Sequence, residues 1–249
     1  MTDYQDNKII VKVEHLYKSF KSEKVLNDIS LELYHGENLV VLGKSGAGKS
    51  VLLKCITGLI PPDKGDIILF DQNILDLDEN ALNVLKKRIG FVFQGSALYD
   101  SMSVKENLMF PLDRSGNSLS QNEKELLIEE ILENVGLKDS IDKMPSELSG
   151  GMRKRAGLAR ALVLRPEIIM YDEPTTGLDP ATSHEISELI LQVQQIFRTS
   201  SFIVTHDMHC ARLTSNRIMI LENSCIIAEG TYKSLRENKT KSVQDYFLN

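Results

Sequence analysis

Gly43-Lys44-Ser45-Gly46-Ala47-Gly48-Lys49-Ser50 has the residue types and spacing of a phosphate cradle. Its glycines let backbone N–H groups converge on phosphate oxygens, and a helix beginning behind them adds partial positive charge. Lys49 can reach β- and γ-phosphates, and the Ser50 hydroxyl can ligate Mg²⁺. Further along, Ile168-Ile169-Met170-Tyr171-Asp172-Glu173 is an apolar run ending in two acids. Asp172 fits the carboxylate that holds Mg²⁺ beside such a loop. Glu173, one residue on, points differently and suits polarisation of an attacking water. His206 follows the apolar run Phe202 to Thr205 and could bond a γ-phosphate or orient that water, although a lone histidine is more often structural. Gln94 ends the run Ile89 to Phe93, where its amide could meet Mg²⁺ or water.

These residues need strands and helices to hold them. Glu37 to Leu42 reads as a buried strand, and Gly48 to Thr57 as a helix closed by Gly58 and Pro61-Pro62. Further strands are expected at Ile9–Val13, Val25–Leu33, Asp66–Phe70, Ile89–Phe93, Ile168–Tyr171, Phe202–Thr205, Ile218–Leu221 and Ile226–Ala228. Helices are expected at Ala81–Lys87 and Pro180–Phe197, with a mostly helical block from about Ser96 to Leu164. Strands alternating with helices predict a largely parallel α/β sheet. The first strands follow one another without helices and should pair antiparallel, and the middle block reads as an insertion.

The chain has 249 residues, enough for one large domain or two small ones, and a net charge of -6, which argues against a general nucleic-acid binder. Cys55, Cys210 and Cys225 are odd in number and far apart, so reduced, buried thiols are expected rather than a disulfide framework or a zinc site. No stretch approaches the roughly 18–20 apolar residues of a membrane span. The polar start MTDYQDNK lacks a signal-peptide core. A soluble cytosolic protein is expected, with any membrane role arising through a partner.

A sixth element, Leu148-Ser149-Gly150-Gly151-Met152, completes a fixed order of motifs. Together they resemble the ATP-binding cassette (ABC) family over nearly the whole chain. The resemblance implies a P-loop NTPase core with a largely parallel sheet, an N-terminal antiparallel β subdomain and an inserted α-helical subdomain. It implies one ABC domain over 1–249, with the helical subdomain at about 96–164. Gly43 to Ser50 then corresponds to the Walker A loop that wraps ATP, and Asp172 to the Walker B metal ligand. Ser50 and Gln94 would share the metal. Glu173 corresponds to the catalytic base, Gln94 to the Q-loop residue and His206 to the switch histidine. Asp179 lies at the D-loop, where it would help couple two sites. Phe20 aligns with the aromatic residue that stacks on adenine; Tyr17 is a weaker candidate, and core packing is the plain alternative for both.

Ser149, Gly150 and Gly151 precede an apparent helix from Met152 to about Leu164, a second arrangement suited to an anion. One nucleotide does not need two such arrangements. In the family, two domains pack head to tail, and the Walker A loop of one and the signature serine of the other enclose each ATP. A homodimer through the ATP sites follows as an expectation. Arg153, Lys154 and Arg155 come next, and a solvated basic helix face accounts for at least part of that run.

Met152 stands where the family signature usually has Gln. The run LSGGMRKRAGLARAL, Leu148 to Leu162, resembles the ATPases of Mla/Mce-type lipid transporters, as does Phe93-Gln94-Gly95-Ser96-Ala97-Leu98-Tyr99. Thr175 to Asp179 has the general family form and adds nothing to that likeness. The likeness implies ATP and Mg²⁺ as ligands and a membrane permease as partner, together with an Mce-domain lipid-binding protein. The chain would sit on the inner face of the cell membrane. Ser96 to Phe110 is the expected permease contact. The alternatives are another ABC importer, a lipoprotein-release system or a soluble ABC ATPase, although this chain has one cassette and no heptad arm.

Overall fold

The computed structural model describes residues 8–116 and 118–248, so most of the polar N-terminal stretch and the last residue of the tail lie outside it. The chain opens with two long strands, β1 (Ile9–Phe20) and β2 (Glu23–Tyr34). Next come β3 (Asn38–Leu42), α1 (Lys49–Ile56), β4 (Lys64–Leu69), β5 (Gln72–Asn73), α2 (Glu79–Lys86) and β6 (Ile89–Val92). Three helices follow: α3 (Val104–Arg114), α4 (Gln121–Asn134) and α5 (Gly150–Leu162). The chain then runs through β7 (Ile168–Asp172), α6 (Pro180–Phe197), β8 (Ser200–Thr205), α7 (Met208–Thr214), β9 (Arg217–Glu222) and β10 (Cys225–Gly230). It closes with α8 (Tyr232–Arg236) and α9 (Lys241–Gln244).

The expected fold class is observed. One sheet has the order β2-β1-β4-β5 and is antiparallel throughout. The other has the order β10-β9-β3-β8-β7-β6, with every pair parallel except β9 with β10. β3, β7 and β8 are buried along their whole length, which is why they read as unbroken apolar runs. The period of two in a strand divides their side chains between two cores. Val40, Leu42, Ile169 and Tyr171 join helices α3 to α6 on one face. Leu39, Val41, Ile168 and Met170 join α1 and the antiparallel sheet on the other.

Several expectations change in detail. β1 runs on to Phe20, because His15 at φ 50° and the register shifts around it hide the alternation past Val13. The middle block is not helical from Ser96. Ser96 and Ala97 take φ 63° and 49°, left-handed values that no helix accommodates. The helix starts at Val104, where Ser103 and Glu106 form a reciprocal capping box. α4 starts the same way at Ser120 and Glu123.

The cysteines are free, but only Cys55 and Cys210 are fully buried; Cys225 is half-buried. Burial pushes the Cys55 thiol up to about 11 and the Cys210 thiol up to about 12. The thiolate is the reactive form. A maleimide applied to the native protein should therefore label Cys225 first, with Cys55 and Cys210 following only on unfolding. Peptide mapping that found Cys55 or Cys210 labelled as fast as Cys225 would contradict this burial pattern.

Candidate functional site

Parallel register brings the ends of four strands side by side. Leu42 of β3 pairs with Thr205 of β8, Asp172 of β7 with Val204 of β8, and Val92 of β6 with Tyr171 of β7. The ladder continues one step beyond β3 and β7: Gly43 N donates to Thr205 O at 3.2 Å and Glu173 N to Val204 O at 2.9 Å. The segments leaving these strands carry Gly43–Ser50, Gln94, Glu173 and His206. They leave at the carboxyl edge, where open α/β sheets bind ligands.

The loop from Gly43 turns into α1 through Gly48, which takes φ 102°. A Cβ there would lie 2.6 Å from the carbonyl oxygen of Val25, so only glycine fits. This turn aims Lys49 back across the loop. Its ammonium donates to Gly43 O at 2.7 Å and Lys44 O at 3.1 Å, and it lies 3.1 Å from Glu173 Oε1. Ser50 Oγ donates to Asp172 Oδ1 at 2.7 Å. That hydroxyl and carboxylate are a hard oxygen pair of the kind Mg²⁺ takes when phosphates and water complete its shell, so the residues fit this ion. No larger group of His, Cys, Asp or Glu able to hold a metal occurs among the described residues.

Glu173 is the most connected side chain of the cleft. His206 Nδ1 lies 2.8 Å from its Oε2, and the His206 N–H donates to the same oxygen at 3.2 Å. Thr176 Oγ1 donates to it at 3.1 Å and Thr205 Oγ1 at 3.4 Å. Burial works against the charged form, but Lys49 and His206 outweigh it and hold the carboxyl below the usual range. Glu173 also takes φ 51°, a left-handed value that costs a non-glycine residue roughly 1–2 kcal/mol. Such a conformation persists where the surroundings over-determine it.

A cleft of about 400 Å³ is walled by Gly46, Lys49, Ser50, Gln94, Glu173 and His206, among others. Asp172 lies against it through Ser50. The remaining candidates stand elsewhere. Phe20 is exposed at the end of β1, with the Lys18 ammonium 5.4 Å from its ring centre, and does not line the cleft. Tyr17 sits in β1 opposite Lys64.

Ser149, Gly150 and Gly151 also lie outside the cleft wall. Ser149 caps α5, its hydroxyl accepting from Met152 N at 3.2 Å. Gly151 has a packing reason to be glycine: a Cβ there would meet Thr182 Cγ2 at 2.6 Å. Asp179 caps α6 through Ala181 N and Thr182 N, both at 3.1 Å.

Two residues carried no local signal. The basic run after the signature is solvated in part, with Arg153 exposed and Arg155 half-buried. Lys154 is buried, and its ammonium donates to the carbonyls of Gln94 and Glu173. Burial draws its pKa below the ordinary lysine value, against the opposing pull of Asp172 and Glu173. A basic triplet on a helix carries no local sign of which member turns inward. Thr176 joins Glu173 with nothing in the sequence to single it out.

Residues 26–176 match the family described as ABC transporter. The chain is 38% identical over 241 residues to the probable ribonucleotide transport ATP-binding protein mkl of Mycobacterium leprae, covering 97% of this chain and 69% of that protein. It is 35% identical to the methionine import ATP-binding protein MetN of Carboxydothermus hydrogenoformans, covering 97% and 71%. Among solved structures it resembles a dimeric ATP-binding cassette in a post-hydrolysis state bound to ADP and Pi. That match has a TM-score of 0.81 and 30% identity over 89% of this chain and 98% of the other. It also resembles cbiO1 of Clostridium perfringens, part of the ABC transporter complex cbiONQ, with a TM-score of 0.83 and 28% identity over 96% and 98%.

Proposed function

The chain belongs to the ABC transporter family as an ATP-hydrolysing cassette, and from that premise we propose that it powers a membrane permease by closing head to tail with a second cassette around two Mg-ATP. The observation that carries this reading is the division of its anion-binding features. Lys49, Ser50, Gln94, Glu173 and His206 wall one cleft, while Ser149 to Gly151 stand outside it. The second set is free to face a nucleotide held by the partner.

Within this reading the Gly43–Ser50 loop and Lys49 hold the β- and γ-phosphates. Ser50 and Asp172, with Gln94, would hold Mg²⁺, which would supply charge neutralisation at the phosphate oxygens. Glu173 takes a proton from the attacking water, and His206 fixes the carboxylate that does so. Asp179, the cap of the helix whose Thr182 meets Gly151, would couple one site to the other. Phe20, exposed at the end of β1 and outside the cleft wall, would stack on adenine. All of 1–249 acts as one cassette, with α3 to α5 as its helical subdomain.

For cargo, we favour lipid movement of the Mla/Mce type, with an Mce-domain protein beside the permease. The support is the LSGGM run and the segment Phe93–Tyr99. The relatives' own names, ribonucleotide transport and methionine import, favour a second reading in which this chain serves a small-molecule importer. Purifying the chain with its membrane partners and identifying what is bound separates the two. Phospholipid enriched over the surrounding membrane supports the first; a bound small solute, with lipid only at background, rejects it.

The permease is expected to meet Ser96 to Phe110. Tyr99 is exposed there and packs against Phe110 at 4.9 Å between ring centres. Reversing charge at this surface with Asp100→Lys should abolish permease co-purification while ATP binding persists. Co-purification left intact would remove this surface as the contact.

A further inference from the structure

We propose that Lys154 is a positioning residue for hydrolysis, a strut from helix α5 that holds the backbones of Gln94 and Glu173 in working register. The inference rests on the reading of Glu173 as the group that polarises water.

The contacts are specific. The Lys154 ammonium donates to Gln94 O at 2.5 Å and to Glu173 O at 3.2 Å. Both carbonyls belong to residues whose side chains wall the cleft. Lys154 is 7% exposed, and no carboxylate lies within ion-pair distance of it among the described residues. Burying an ammonium without a paired charge is expensive, and a neutral side chain of similar length would fill the space at lower cost. A three-donor cation suits a place where several carbonyls converge.

Its neighbours on the same ridge act on the same segment. A Cβ at Gly157 would lie 3.1 Å from Ser96 O, so helix and loop are in close contact. Arg160 donates to Ala97 O at 2.5 Å. Positions 154, 157 and 160 thus grip residues 94–97, where Ser96 and Ala97 hold left-handed backbone. Arg153 and Arg155 turn elsewhere, to Leu148 O and to Val135 O and Glu185.

Glu173 gains most from the strut. Its left-handed backbone is held by its N–H bonded to Val204 O at 2.9 Å and by its carbonyl, which accepts from both Lys154 and the Thr176 N–H. Without the ammonium, the Glu173 carbonyl keeps only the Thr176 N–H, at 3.3 Å, and the 173 peptide can relax toward ordinary φ, shifting the carboxylate relative to the water. Because Ser149 caps α5, the strut also joins the end of the helix lent to a partner with the catalytic carboxylate of its own chain. Displacement at Ser149 reaches Glu173 through one helix and the Lys154–Glu173 hydrogen bond.

The test compares the wild-type cassette, assembled with its permease, with Lys154→Met, Lys154→Arg, Glu173→Gln and the Lys154→Met/Glu173→Gln double variant. Misplacement of about 1 Å can cost on the order of a hundredfold. Lys154→Met should therefore lower kcat about ten- to a hundredfold while KM for ATP stays within about twofold. Lys154→Arg, which keeps the charge and donors, should recover most of that loss. The double variant should be slower than Glu173→Gln alone by far less than Lys154→Met is slower than wild type, because most of the Lys154 effect passes through that carboxylate and only the Gln94 contact remains to be lost. Wild-type kcat in Lys154→Met, a loss confined to KM, or multiplicative losses in the double variant would overturn the proposal. If Lys154→Met does not fold, Lys154→Gln is judged by the same kcat–KM split. A Glu173→Gln variant that hydrolyses ATP at the wild-type rate, with Lys154→Met slow, would instead overturn the assignment of Glu173.

Discussion

Glu173→Gln is expected to bind ATP as the wild type does and to slow hydrolysis by about 10²–10⁴-fold, the usual contribution of a positioned general base. The amide keeps the size of the side chain and one acceptor oxygen. It cannot take the proton from water. The four groups now gathered on Oε2, from His206, Thr176 and Thr205, would hold it in nearly the same place. The variant should therefore accumulate as an ATP-bound pair of cassettes, visible as a dimer by size exclusion with ATP and as a loss of phosphate release. Unchanged steady-state turnover would remove Glu173 as the base. The pH profile offers a second view. The Glu173 carboxyl is held below the usual range in the folded protein. Its contribution to stability is complete above the ordinary glutamate value and fades as pH falls through the lower folded value. As a base it stays ionised over that same window in the free protein, so its acid limb in kcat/KM should lie below the ordinary carboxylate range and vanish in the Gln variant.

Lys49→Ala is expected to act twice. It removes the point charge on the β- and γ-phosphates, a charge-assisted contact worth roughly 1.5–3 kcal/mol, or about ten- to a hundredfold in Kd for ATP. It also removes the cation 3.1 Å from Glu173 and the donor that ties Gly43 O and Lys44 O together. Glu173, buried and stripped of that cation, would titrate higher. The variant should thus lose Tm near neutral pH even without nucleotide, and recover part of that loss as pH falls. Isothermal titration with ATP and melts across pH measure the two effects separately. A weakened Kd with an unchanged Tm at every pH would show that the Lys49–Glu173 pair contributes nothing to the fold.

Much of this was legible before any coordinates. Gly43–Ser50 announces itself because glycine, lysine and hydroxyl positions are all dictated locally by phosphate geometry. α6 spans the predicted Pro180–Phe197, because proline at its start and a sustained apolar stripe are local signals. The parallel order of strands follows from helices lying between them. Other features are tertiary. Nothing within Arg153-Lys154-Arg155 says that the middle residue alone meets two carbonyls from distant loops. Gly151 reads as a phosphate-facing glycine, yet its tightest constraint is a methyl on another helix. The left-handed Ser96 and Ala97 are residues that would suit a helix, held otherwise by what α5 packs against them.

The strand register also sets when this molecule can first work. β3 carries the phosphate loop, but its neighbours are β8 and β9, drawn from the last fifth of the chain. The loop therefore leaves the ribosome long before anything holds it in shape. At about 5–20 residues per second, the 155 residues from Ser50 to Thr205 take roughly 8–30 s to synthesise. During that interval β3 lacks both partners, and its apolar faces depend on whatever shelters a nascent chain. The cleft closes only when the most distant pairings form, which is the slow step for sheets built on long-range contacts. A chain interrupted anywhere between Ser50 and β8 would carry the whole Gly43–Ser50 loop and still lack the nucleotide site.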